Sequence, residues 1–206
     1  MAPRVSGLTG ATLETAPGVC QTCVWWQSRS GRDLEKGRWR EKMEDEWGAW
    51  GTLYYDDDGR LLGSMQYGPA ALFPRAWELP AGPPSDDALL VTCAYLVDRS
   101  TPWVLQSLFL AAIGDAKDKG ARAIEAFGYR HRENSSIRER FLVHRTIFPH
   151  DFLADFGFVV VRSQGLVELA RLELGGLQPV VERPRAKALR ILREIFSPQP
   201  LPAPRP

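Results

Sequence analysis

Residues Ala88 to Tyr129 constrain the chain more than any other stretch. An apolar run from Ala88 to Val97 meets a turn, Asp98-Arg99-Ser100-Thr101-Pro102, and then a helical pattern from Trp103 to about Lys119. Gly120 stops that pattern, and a second apolar run, Ala121 to Phe127, follows. Strand, turn, helix and strand in this order form a βαβ unit, with the strands parallel and the helix packed on one face. Within the helix, Leu105, Leu108, Phe109, Ala112 and Ala116 recur at helical spacing as an apolar stripe. Thr101 is the expected N-cap and Pro102 the expected first helical residue. Such a corner leaves backbone N–H groups unpaired at the helix N-terminus, where an anionic ligand is favoured.

The flanking segments supply the rest of a sheet. Thr12-Leu13-Glu14 is the expected first strand, after a poorly ordered stretch over residues 1–10, and Cys20 to Gln27 reads as a helical turn. Gly31 to Glu46 has helical spacing with Leu34, Met43 and Trp47 directed inward, and charges of alternating sign mark its solvated face. Two β-rich runs around Asp56-Asp57-Asp58-Gly59 predict a hairpin, in which the aspartates serve the turn rather than a metal. Residues 68–87 show no periodicity; five prolines hold an extended connection anchored by Phe73, Trp77 and Leu79. Phe148 to Phe156 is the expected short helix ended by Gly157, and 158–162 and 166–174 are two closing strands. Beyond Gly175-Gly176 the composition shifts to a basic amphipathic helix, Ala186 to Phe196, and a proline-rich end.

Composition narrows the function classes. A net charge of +1 gives no overall field toward nucleic acid or anionic lipid. No apolar run reaches the roughly 20 residues of a membrane span, and the first residues lack a secretory apolar core, so a cytoplasmic location is expected. Three cysteines do not form a disulfide framework. Cys20 and Cys23 form one half of a zinc motif whose second half is missing; structural thiols, a metal pair and a redox dithiol remain the readings, in that order. Five of the seven tryptophans fall before residue 51, as a dense aromatic mini-core or as flat walls around a pocket.

The order of elements resembles the acetyl-CoA-dependent N-acetyltransferases of the GNAT family. The resemblance rests on Leu90 to Val97, the helix to Gly120, Ala123 to Phe127, and Asp155-Phe156-Gly157-Phe158 before Val159-Val160-Val161, and it spans roughly residues 10–175. It implies an α/β (α+β) fold with a mixed, mostly antiparallel central sheet and helices on both faces. The domain would run over residues 11–182, with 1–10 as a flexible start and 183–206 as a basic, proline-rich tail. It also implies acetyl-CoA as cofactor and a small-molecule or protein amine as acceptor. No nucleic-acid or membrane partner is expected; a protein partner could dock through the tail, or the chain could pair with itself.

Carried onto this sequence, the family's phosphate cradle falls on Arg99, Ser100, Thr101, Pro102, Trp103 and Val104, with Leu96, Val97 and Leu105 beside it. Pro102 stands where the family has glycine and lacks an N–H, and Val104 replaces a second small residue, so anion binding is weakened there. Leu153 stands where many members have the tyrosine that protonates the leaving thiolate. Tyr95, Tyr129, His144 and His150 lie in neighbouring segments as substitute acids, and His131 is the remaining histidine. Glu125 is a candidate general base; an outward-facing charge is the plainer reading. Two functions are therefore carried forward: an N-acetyltransferase, and a catalytically inactive module of the same scaffold that binds a partner.

Overall fold

A computed structural model of the chain describes residues 4–29, 36–98, 102–130 and 147–175. The chain divides into two units, Met1–Gly176 and Leu177–Pro206, and the second lies outside the described residues together with the amphipathic helix and proline-rich end expected there.

The strands are β1 Arg4–Gly7, β2 Gly51–Tyr55, β3 Leu61–Pro69, β4 Ala88–Leu96, β5 Ala123–Tyr129, β6 Phe148–Pro149, β7 Val159–Gln164 and β8 Val167–Glu173. The helices are α1 Gly18–Thr22, α2 Lys36–Glu46, α3 Pro102–Asp118 and α4 His150–Asp155. One sheet runs β1-β2-β3-β4-β5-β8-β7, with β6 paired to β5 off that path. All neighbours are antiparallel except β4–β5 and β5–β6. The sheet is thus mixed and mostly antiparallel with helices on both faces, as expected, and the βαβ unit stands at its centre.

Local chemistry explains the elements. Asp56 accepts the N–H groups of Asp58 and Arg60, and Gly59 has φ +80°, so the aspartate run makes the hairpin turn. Helix α3 buries Val104, Leu108, Phe109, Ala112 and Ala116, and it ends where Gly120 takes φ +76° and the Ala121 N–H returns to the Ala116 carbonyl. Period-2 alternation divides the core. On one face, α3 and α4 cover Tyr54, Met65, Tyr67, Leu89, Val91, Ile124, Ala126 and Ala170. On the other, Trp26, Trp39, Met43, Trp50 and Phe73 cover Leu53, Leu90, Phe127 and Leu169. The early tryptophans are therefore a mini-core: Trp39 meets Trp50 and Phe73 at 5.7 Å, and its indole N–H is donated to the Leu72 carbonyl at 2.7 Å.

Several expectations shift. The first strand lies earlier, at Arg4–Gly7, where it pairs with β2; Leu13–Thr15 is a 3-10 turn. Helix α2 starts at Lys36 and buries Trp39 and Met43, while Trp47 lies past its end and Leu34 is outside the described residues. Phe73 anchors the long connection as expected, but Trp77 is exposed. No helix among the described residues is long and apolar enough to cross a membrane.

Candidate functional site

The sheet forks at its centre. β4 and β5 pair from Ala88–Ala123 to Val91–Ala126 and no further, although β4 continues to Leu96 and β5 to Tyr129. A bulge helps to separate them: Gln66 of β3 faces Cys93 while Tyr67 faces Val91, which leaves Thr92 as an extra residue on β4. The Thr92 hydroxyl is occupied locally, donating to the Gln66 carbonyl and side chain at 3.1 Å each. Gly128 and Tyr129 pair with β8 on one edge and with β6 on the other, so β6 holds the edge that β4 has left. From Thr92 to Leu96, the β4 edge turned toward β5 makes no ladder pairing with it. Unpaired backbone groups in a sheet interior are an invitation to an amide-bearing ligand.

On the α3 face, the helix N-terminus stands beside this fork. Arg99, Ser100 and Thr101 lie outside the described residues. Leu96 is half-buried against the α3 core, and Val97 is exposed, with its N–H donated to the Leu62 carbonyl at 2.9 Å. Trp103 packs edge-on to Tyr54 at 5.7 Å and is otherwise open to solvent. Val104 is fully buried, Leu105 packs beside it, and a Cβ at Gly63 would stand only 3.0 Å from Val104 Cγ1. Val104 therefore fills the core and does not project into a phosphate cradle. Acetyl-CoA fits this corner in that respect: the first-turn amides after Pro102 have no intrahelical acceptor, and the core side chain leaves their approach open. Leu153 is buried with the phenylalanines of this face and has no proton to give.

One cluster on this face escaped the sequence. Glu168 of β8, with a side chain 4% exposed, lies 2.6 Å from the Arg130 guanidinium and 2.5 Å from His150 Nδ1. Arg130 follows β5 and His150 begins α4, so three separate segments meet there. The sequence offered His150 as one of several substitute acids but not its partner, because Glu168 lies in a closing strand that also carries Arg171 and Glu173.

The opposite face carries the other candidates. Phe127 belongs to this core, so alternation places Glu125 and Tyr129 with it; Cys93 packs against the same core, which places Tyr95 there too. Glu125 is not an outward charge. It is wholly buried and accepts the Ser85 N–H and hydroxyl at 2.7 Å each and Arg171 at 3.2 Å. Arg171 also grips Asp87, at 2.9 and 3.0 Å, and Glu173. The Asp87 side chain is held below the usual carboxylate range by this guanidinium, which is in turn held above its own. Glu125 thus clamps the connection before β4 to β5 and β8, two residues short of the fork. Tyr129 is nearly buried and Tyr95 half-buried, on opposite arms of it.

All three thiols are free. Cys20 Sγ lies 3.9 Å from the Ser64 hydroxyl and Cys93 Sγ 3.9 Å from Gln66 Oε1, while Lys36 donates to the Cys20 and Cys23 carbonyls. Burial pushes the Cys93 thiol up to about 12, raises Cys20, and lowers the Lys36 ammonium. No metal-holding group of His, Cys, Asp or Glu occurs among the described residues. A surface depression lined by Asp87, Lys117, Arg122, Arg171 and Glu173 lies at the start of β5, away from the fork, and its Arg171 is already paired with Asp87 and Glu173.

No protein-family model matches the chain, and no curated protein matches it in sequence. Solved structures of similar fold include the PaiA N-acetyltransferase of Thermoplasma acidophilum in complex with coenzyme A, 16% identical, TM-score 0.47, covering 84% of this chain and 99% of that one. A GCN5-related N-acetyltransferase from Kribbella flavida is 17% identical, TM-score 0.46, over 84% and 98%. An acetyltransferase of the GNAT family from Desulfovibrio desulfuricans is 14% identical, TM-score 0.49, over 84% and 100%. At these identities function has to come from the site itself.

Proposed function

We propose that the chain is an N-acetyltransferase that moves an acetyl group from acetyl-CoA to an amine. The observation that carries this reading is the fork: β4 and β5 stop pairing after Val91 and Ala126, and no described strand pairs with the β4 edge from Thr92 to Leu96, which leads to the N-terminus of α3. The pantetheine arm of the cofactor bears two amides and can pair with such an edge. Its phosphates would meet the amides of Trp103, Val104 and Leu105. Bound there, acetyl-CoA supplies an activated thioester. The amine, from a small molecule or a protein, would enter from the face that carries Tyr95 and Tyr129, opposite the carrier.

Glu125 supports the fork from below and is not free to take a proton from the amine, because both oxygens are engaged. Tyr95 makes no hydrogen bond through its phenol among the described residues, and it is the side chain on that face best placed to contact an incoming amine.

The test is calorimetric titration of acetyl-CoA into the protein. A dissociation constant between about 1 μM and 1 mM is expected; no heat at millimolar cofactor removes the reading. A second reading, a binding module without catalysis, is favoured by Leu153, which is buried where a proton donor is expected. Binding of acetyl-CoA with no thiol release to any amine would establish it instead.

A further inference from the structure

We propose that His150, held by Glu168, is the proton donor to the leaving sulfur at the fork. The inference rests on the acetyl-transfer reading. A carboxylate with a side chain 4% exposed requires partners, and Glu168 has two: Arg130 through one oxygen and His150 Nδ1 through the other. An ionised carboxylate accepts only, so Nδ1 carries its proton and Nε2 becomes the ring atom that exchanges. No described residue hydrogen-bonds Nε2. The His150 side chain is 28% exposed, open enough to recover a proton from water yet fixed in direction by Glu168.

Position supplies the second line. His150 directly follows β6, the strand on the edge of β5 that β4 has left, so it stands at the mouth of the fork. Ala126 and Ala170 belong to the core under α3, and alternation puts Arg130 and Glu168 on that same face, the carrier's side of the sheet. His150 and Leu153 are i and i+3 on α4, so they share one flank. A Cβ at Gly128 would meet Leu153 Cδ1 at 3.2 Å and Glu168 Cβ at 3.8 Å; glycine leaves the room that lets leucine and the histidine–carboxylate pair sit one turn apart. Leu153 thus packs in the core one turn from the histidine–carboxylate pair.

The amine nitrogen bonds to the acyl carbon, the C–S bond breaks with its electron pair on sulfur, and His150 passes the Nε2 proton to that sulfur. The surplus amine proton leaves to water, and water returns one to Nε2. Amide and free thiol result. Glu168 stabilises the imidazolium between turns and is a positioning residue. Among the described residues, the charged group that meets His150 is Glu168 from β8, whose other oxygen holds Arg130, the residue after β5; Asp151 is next to it on α4.

Histidine-selective NMR reads the contact without turnover. The chain has three histidines, and His150→Gln assigns the resonance. Coenzyme A is expected to shift the His150 ring signals with the midpoint seen by calorimetry. Binding without such a shift overturns His150 and leaves acetyl transfer standing; no binding at millimolar coenzyme A removes both. With hydroxylamine as acceptor, His150→Gln is expected to slow thiol release from acetyl-CoA about 100-fold, with coenzyme A affinity changed by less than about threefold. The alkaline limb of the wild-type pH–rate profile should be absent in the variant. An acetyl thioester of an acidic aryl thiol, whose sulfur leaves unprotonated, should be used equally by both proteins. Glu168→Gln should lower kcat about tenfold at unchanged KM. Equal rates on acetyl-CoA, or an equal loss on both thioesters, overturns the assignment.

Discussion

Two buried carboxylates on adjacent central strands, Glu125 of β5 and Glu168 of β8, sit on opposite faces of one sheet and do different work. Glu125 is bound to a backbone N–H, a hydroxyl and a guanidinium that is itself shared with Asp87 and Glu173. Its charged partner Arg171 has a side chain only 14% exposed. Glu168 has an equally buried side chain, yet its partners are Arg130, 60% exposed, and a histidine open to solvent. A buried charge whose partners are all fixed is a clamp; one whose partners reach water can communicate with it. Burial alone therefore does not separate a structural carboxylate from a chemical one, and the exposure of its partners does.

The largest way to break this contrast is Glu125→Gln. It leaves Arg171 without a buried counterpart and is expected to lower stability by about 3 kcal/mol, a fall in Tm of roughly 6–12 °C. A loss under about 1 kcal/mol would show that the clamp is dispensable. The alkaline limb of stability sharpens the picture of the core on the Glu125 side. The folded state keeps the Cys93 proton up to about pH 12, whereas the unfolded chain releases it near its ordinary value of 9.0. Stability is therefore intact below pH 9 and falls above it, by about 2 kcal/mol between pH 9 and 11. Cys93→Ala should flatten that slope in chemical denaturation; an unchanged slope would mean the thiol is not shielded.

Glu168→Gln should cost only about 1 kcal/mol, because Arg130 and His150 can turn to water. A drop as large as that of Glu125→Gln, measured by thermal unfolding, would erase the distinction between the two sites. The smallest effect is expected at the carrier's corner. Pro102→Ala returns one N–H to the first turn of α3 and should tighten acetyl-CoA two- to fivefold, about 0.3–1 kcal/mol. Unchanged affinity by calorimetry would place the phosphates elsewhere. The matching change at Val104 is a poor partner for it, since that side chain is core.

The scaffold was legible where the signal is local. The stripe of α3, the stop at Gly120 and the Asp-Gly turn each lie within a few residues, and each forms as read. Strands β1 and β6 were not legible, since four and two residues carry no periodicity and depend on a partner for their form. The site divides in the same way. Tyr95, Tyr129 and Glu125 were named as candidates from their places on strands, but the partners of the buried Glu125 are Ser85 and Arg171, 40 and 46 residues away. The pairing of His150 with Glu168 spans 18 residues and a change of element, which no pattern of spacing reveals.

Strand β6 has one more consequence. A sheet opened at its middle exposes a fresh hydrogen-bonding edge, the kind of surface through which chains aggregate by mutual strand addition. Two residues, Phe148 and Pro149, cover the β5 side of that opening, and the bulge at Thr92 disturbs the regular rise of the β4 side. Proline is a poor template for a further strand because it offers no N–H. Phe148 and Pro149 therefore leave the β5 side of the opening a poor template for strand addition by a neighbouring molecule.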